Sequence, residues 1–152
     1  MSVVYLVRGV PGSGKSTLAA KLTAGTPGAR HYEADQYFEQ AGYYKFVPEH
    51  LPRAHSWCFE KFAQAVRRDE PVIVSNTFTQ LWELKNYIDF ALDNEAKVIV
   101  VHCTGKWDNV HGVPDEKVNQ MRSRFMDNTM IASRYPDEID SGQLVLKTYS
   151  GN

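Results

Sequence analysis

Cysteine is scarce in this chain: Cys58 and Cys103 are the two among 152 residues. They lie in separate apolar segments without metal-ligand spacing, which excludes a disulfide framework and leaves two buried thiols of a reducing compartment. Excess charge of either sign is also lacking. Seventeen basic residues stand against eighteen acidic ones, a net charge of −1, so there is no global positive field to hold a nucleic-acid duplex, and any such contact must be local. No apolar run approaches the roughly 18 residues of a membrane span. The one apolar stretch near the N-terminus, Val3 to Val7, lacks the basic lead and the length of a secretion signal, so no membrane contact and a cytoplasmic location are expected. Repeats and low-complexity tracts are missing too. Hydrophobic residues make up 43% and charged ones 23%, the balance of an ordinary globular protein. A chain of 152 residues suffices for one core and not for two, so a single domain over residues 1–152 is expected.

What is present is an alternation. Val3 to Val7 is a continuous apolar run stopped by glycine, as in a strand buried on both faces of a parallel sheet. From Lys15 to about Thr23 the apolar positions recur at helical spacing, and Gly25 with Pro27 ends that helix. A short extended piece, Arg30 to Glu33, runs into Asp35 and an aromatic segment from Tyr37 to Phe46. Pro48 opens a helix striped by Leu51, Ala54, Cys58, Phe62 and Val66. Pro71 to Val74 and Val98 to Val101 read as further strands, separated by a helix marked by Leu81, Leu84, Ile88 and Ala91. Pro114 starts a helix with Val118, Met121 and Phe125, and Gln143 to Thr148 closes the series as a strand. The class is α/β, with a parallel sheet between helices and binding at the carboxyl ends of the strands.

Residues 9–16 read GVPGSGKS, a complete match to G-x-x-x-x-G-K-[S/T], the Walker A signature of a P-loop. An apolar strand precedes it and a helix follows, as the mechanism of phosphate binding demands. Gly9, Gly12 and Gly14, with Pro11 and Ser13 between them, form a loop whose backbone N–H groups can face phosphate oxygens. Lys15 would reach the β- and γ-phosphates, the Ser16 hydroxyl would ligate magnesium, and Thr17 follows in the first turn. ATP with Mg²⁺ is therefore the expected ligand pair. No carboxylate closes the Val72–Val74 strand, which ends in Ser75, Asn76 and Thr77. The nearest acidic candidate is Asp35, read either as a general base facing an acceptor hydroxyl or as a helix cap.

In RGVPGSGKSTLA, EADQYF, YKFVPEHLPRAHSW, VIVSNT, and HGVP followed by MRSRF, the chain resembles the polynucleotide 5′-kinase group of P-loop kinases. The resemblance implies a P-loop NTPase fold with a five-stranded sheet in the order 2-3-1-4-5 and helices on both faces. It implies Asp35 as general base, Lys15 and Ser16 in their phosphate and metal roles, and a basic lid over the transferred phosphoryl group. Two departures stand out. Phe38 replaces an arginine that holds the acceptor's phosphate in the bacteriophage members, and Trp107 with Asp108 replaces the lid arginines. Arg124 is then the favoured lid cation, with Lys106, Arg122 and Arg134 as further candidates.

Asn76 and Thr77 read equally as acceptor contacts or as caps of the next helix. Trp57 and Trp82 are expected in the core, and Trp107 in an exposed or lid position. The histidines show no metal-ligand spacing. The expected activity is transfer of the γ-phosphoryl of ATP to a hydroxyl, first a 5′-hydroxyl of a single-stranded polynucleotide end, alternatively a nucleoside, nucleotide or other small hydroxyl compound. A third reading is an ATP-binding module without efficient transfer that engages a protein partner.

Overall fold

The computed structural model describes residues 2–39, 45–106 and 112–151. Trp107, Asp108 and part of the aromatic run, Tyr43 and Tyr44, lie outside the described residues. Five parallel strands form one sheet: β1 (Val3–Arg8), β2 (Arg30–Tyr32), β3 (Val72–Asn76), β4 (Lys97–Cys103) and β5 (Leu144–Tyr149). Their order is β2-β3-β1-β4-β5, which is the sheet that the motifs imply. Three long helices connect them, α1 (Lys15–Gly25), α2 (Leu51–Arg67) and α3 (Leu81–Asp93). Three shorter ones, α4 (Asp115–Arg124), α5 (Asn128–Arg134) and α6 (Pro136–Ser141), separate β4 from β5.

Side chains alternate across each strand, and that parity sorts the core into two layers. Val4, Leu6, Val72, Val74, Val98 and Val100 are fully buried on one face, packed with α2, α3 and Ile131 of α5. Val7, Ile73, Ile99 and Val101 turn to the other face, where Leu18 and Ala19 of α1 cover them. Both cysteines are free and buried. The α3 helix starts with a capping box. The Glu83 carboxylate accepts from the Gln80 N–H at 2.9 Å and from the Thr79 hydroxyl at 2.7 Å, so neither Asn76 nor Thr77 caps it.

Trp82 departs from expectation. It is 75% exposed, because it precedes the buried Leu84 by two residues and so lies about 200° around the helix from it. Trp57 is half-buried, with ring-edge contacts to Tyr32 and Tyr37 at 6.4 and 6.3 Å, and it packs against the core.

Candidate active site

All five strands point one way, so the segments leaving β1, β2, β3 and β4 gather at one edge of the sheet. Arg8, Asn76 and His102 lie side by side in register there. The loop after β1 is shaped by its glycines. Gly12 and Gly14 have φ of 80° and 99°, a region that other residues enter at a cost of ~1–2 kcal/mol. Gly9 is required by space instead, since a Cβ there would stand 2.2 Å from the Ser13 Oγ and 2.9 Å from the Cys103 carbonyl. The Gly9 N–H donates to the Thr77 carbonyl at 3.2 Å and the Gly105 N–H to the Ser13 carbonyl at 3.1 Å. The loops after β1, β3 and β4 are thereby tied together.

α1 begins after Gly14 with no side-chain cap and no acidic residue in its first turn. Its first N–H groups thus lack a helix partner, at the positive end of the helix dipole. The residues that carry them, Lys15, Ser16 and Thr17, line a cleft of about 810 Å³ together with Pro11, Gly12 and Gly14. An uncapped helix start below a glycine loop suits phosphate. Lys15 donates from Nζ to the Val10 carbonyl at 3.1 Å and makes no ion pair among the described residues. Burial pushes its ammonium down to about 8, against the opposing pull of Cys103, Glu33 and Asp35. Burial also raises the Cys103 thiol to about 11, so near neutral pH the thiol is uncharged and the two carboxylates are the anions that matter.

Those carboxylates enter from the segment after β2. Asp35 and Glu33 both line the cleft, Asp35 on a short 3-10 helix, Ala34–Glu39. Asn76 sets where that helix starts: its Oδ1 accepts the Ala34 N–H at 2.9 Å. Ser75 fixes Glu33, donating from its hydroxyl to Oε2 at 2.9 Å, while the Ser75 Oγ meets His31 Nε2 at 2.8 Å. The single serine proton is used on Glu33, so His31 must donate through Nε2. Burial lowers the His31 pKa, with Glu33 opposing. The 3.9 Å approach of His31 to Glu33 is therefore that of a neutral ring to a carboxylate. A carboxylate thus stands beside β3 although the strand itself carries none.

Behind the loop lies Arg8, 0% exposed. It donates from Nε to the Phe78 carbonyl at 3.0 Å, from Nη2 to the Met126 carbonyl at 2.6 Å and from Nη1 to Asn128 Oδ1 at 3.1 Å. Its guanidinium lies 4.2 Å from the centre of the Phe125 ring, which stacks on His102 at 4.6 Å. Burial pulls the Arg8 pKa to about 10, so it stays charged at neutral pH. One side chain holds the loop after β3 and the segment after α4 to the end of β1.

Of the residues expected at the site, Pro11, Gly12, Gly14, Lys15, Ser16, Thr17, Asp35, Asn76 and Thr77 line the cleft. Gly9 and Ser13 lie beneath it, both buried. Phe38 is 6% exposed in the core, where it meets Phe46 at 5.2 Å; the cleft is faced by Phe46. None of the four lid candidates is among its lining residues. Lys106 is exposed after β4, Arg134 lies 5.6 Å from the Tyr135 ring centre, and Arg122 donates to Asn119 at 3.3 Å. Arg124 shares a helix face with Lys117 and Met121, but its carbonyl accepts from the Gln80 side chain, at the far end of α4 from the cleft. Lys117 and Met121 are what α4 presents to the cleft. Their four-residue spacing was a usable signal. Glu33, Ser75 and Arg8 gave none: each reads as a polar residue at the end of a strand.

Residues 4–126 match the protein family described as AAA domain. The chain belongs to that family. As an AAA domain it is an ATP-binding, kinase/ATPase-like module, a family broader than the polynucleotide 5′-kinase group that the motifs resemble. Human NEDD4-binding protein 2 is 33% identical over 156 residues, covering 93% of this chain and 9% of that protein. Three solved structures share the fold. Kti12 of Chaetomium thermophilum in complex with ADP-AlF3 is 12% identical with a TM-score of 0.65, over 98% of this AAA domain and 89% of that chain. A chain of the Pnkp1/Rnl/Hen1 RNA repair complex is 15% identical with a TM-score of 0.57, over 93% and 45%. A sugar kinase from Janibacter sp. is 18% identical with a TM-score of 0.50, over 97% and 86%. No helix among the described residues is long and apolar enough to cross a membrane.

Proposed function

We propose that this AAA domain transfers the γ-phosphoryl group of ATP to a hydroxyl, with the 5′-hydroxyl of a polynucleotide as its acceptor. The observation that carries this reading is one cleft lined by the P-loop, Lys15 and a second carboxylate system, Glu33 and Asp35, close enough to act on the Lys15 charge. A carboxylate in this cleft can take the proton of an acceptor hydroxyl, which transfer to a hydroxyl requires. The oxygens of Ser16, Glu33 and Asp35 are hard donors and suit Mg²⁺. Ser16 and Glu33 would hold the ion, which neutralises phosphate charge when bound.

The protein's own groups perform the rest. The Asp35 carboxylate accepts the proton of the acceptor hydroxyl as its oxygen bonds to the γ-phosphorus. The bond from that phosphorus to the bridging oxygen breaks, and its electron pair leaves with ADP. Lys15 and the N–H groups of α1 stand where charge gathers on the phosphoryl oxygens. Lys117 is the cation that α4 brings to the same space; Arg124, Lys106, Arg122 and Arg134 reach it only if the chain rearranges.

The acceptor rests on the motif resemblance and on the shared fold with the RNA repair complex chain. A small hydroxyl acceptor is the alternative that Phe38 and the sugar kinase fold likeness favour. A binding module that engages a protein partner is favoured by the likeness to human NEDD4-binding protein 2. The experiment is transfer of labelled γ-phosphate to 5′-hydroxyl oligonucleotides, nucleosides and sugars, beside Asp35→Asn. Label on an oligonucleotide that falls by about 10²–10⁴ in the variant, with ADP still bound, supports the kinase. Label on small acceptors alone removes the polynucleotide, and no label on any acceptor favours the binding module.

A further inference from the structure

Beside the nucleotide cleft, between α2 and α3, is a second hollow of about 380 Å³ that shares His55 and Asn76 with it. Its aromatic surfaces are Phe59, Phe78, Trp82 and Tyr87. Phe78 is 3% exposed and adopts φ of 47°, a left-handed conformation that a bulky residue takes only when its surroundings impose it. The imposing contact is Arg8, which donates to the Phe78 carbonyl at 3.0 Å, and the ring lies against Tyr87 at 5.3 Å. Strained backbone is thus spent on placing an aromatic ring under this hollow. At its rim Trp82 is 75% exposed, on a helix whose other large apolar residues are at least partly buried.

The polar side of the hollow offers the amide of Asn86 and the carboxylates of Glu60 and Glu83, and no lysine or arginine is among its lining residues. That chemistry repels phosphate and accepts a flat, uncharged ring with hydrogen-bonding edges. We propose that the hollow binds the nucleobase of the acceptor's terminal nucleotide. The base stacks on Trp82, and its sugar hydroxyl passes His55 and Asn76 towards Asp35. This rests on the kinase reading above and gives the acceptor a nucleoside terminus; phosphodiesters beyond the first nucleotide run outside the hollow.

The test uses the full chain with ADP present and follows tryptophan emission on titration with adenosine, in the wild type and in Trp82→Phe, which leaves the other tryptophans in place. Saturable quenching in the wild type that is lost in the variant is expected. In parallel, Trp82→Ala should raise the acceptor KM about 5- to 150-fold, the range of a single base stack. It should do so for oligonucleotides with a 5′-terminal base and not for those with an abasic 5′ end. Trp82 is exposed enough for the substitution to leave folding intact. Intact transfer with no quenching and no change in KM overturns the base site while the kinase stands. Quenching without transfer to any acceptor supports the base site and overturns the kinase. Absence of both overturns both.

Discussion

The depressed Lys15 predicts that nucleotide binding takes up a proton. In the free protein burial holds the ammonium at about 8, and bound phosphates would return it towards the ordinary lysine value of about 10.4. Between those values the complex carries more charge on Lys15 than the free protein does. At pH 7 the free lysine is already about nine-tenths protonated, so uptake is ~0.1 proton; it rises to ~0.5 at pH 8 and ~0.9 at pH 9. Affinity is accordingly flat below about pH 7 and falls towards tenfold per unit above about pH 8. Calorimetry of ADP binding in buffers of unequal ionisation enthalpy reads the uptake directly. Lys15→Arg keeps the charge and removes the titration, so its uptake at pH 9 should vanish. Wild-type uptake near zero at pH 9 would refute the desolvated lysine, and equal uptake in the arginine variant would assign the proton to another group. The sign for stability follows from the same shift. Folding disfavours the charged lysine, so that cost is full below about pH 8. It is relieved as pH rises to about 10.4, and the free protein gains stability over that window.

Arg8→Met should cost about 3–5 kcal/mol in urea unfolding, because the Phe78 and Met126 carbonyls and the Asn128 side chain lose a buried charged donor. A loss under about 1 kcal/mol would mean that desolvation of the guanidinium cancels its bonds. Glu33→Gln keeps an acceptor for Ser75 and removes the charge. ADP affinity without metal should hold, while the gain in affinity on adding Mg²⁺ should shrink by about 10- to 100-fold, measured by calorimetry. Equal loss with and without the ion would show that Glu33 acts on the fold instead.

The strand–helix alternation was legible because each buried strand is a run of β-branched residues stopped by a turn signal, and the P-loop because its glycines answer to geometry. The order of the strands was not readable from periodicity, since parallel strands buried on both faces look alike, and it came from the resemblance. α5 and α6 were missed because α5 buries only Ile131 and α6 buries nothing, too little for a stripe. Trp82 was placed in the core by its apolar neighbours, although its angle from Leu84 puts it on the far side of α3. Phe38 was tied to the acceptor by alignment to a motif; it is buried in the core, and the aromatic ring that faces the cleft is that of Phe46. Arg8 looked like the polar stop of a strand, because nothing local in the sequence reveals partners 70 and more residues away.

The grip of Arg8 on Phe125 and Met126 turns α4 into a lever. Its C-terminal end is pinned to the strand that carries the P-loop, while its first turns, with Lys117, overhang the cleft and bury only Val118. Ten residues give an arm of about 15 Å, so a tilt of about 20° would carry the free end about 5 Å and leave the pinned end still. Any tilt of the free end would therefore pivot about a fulcrum that shares its strand with the phosphate loop, away from the seat of the nucleotide.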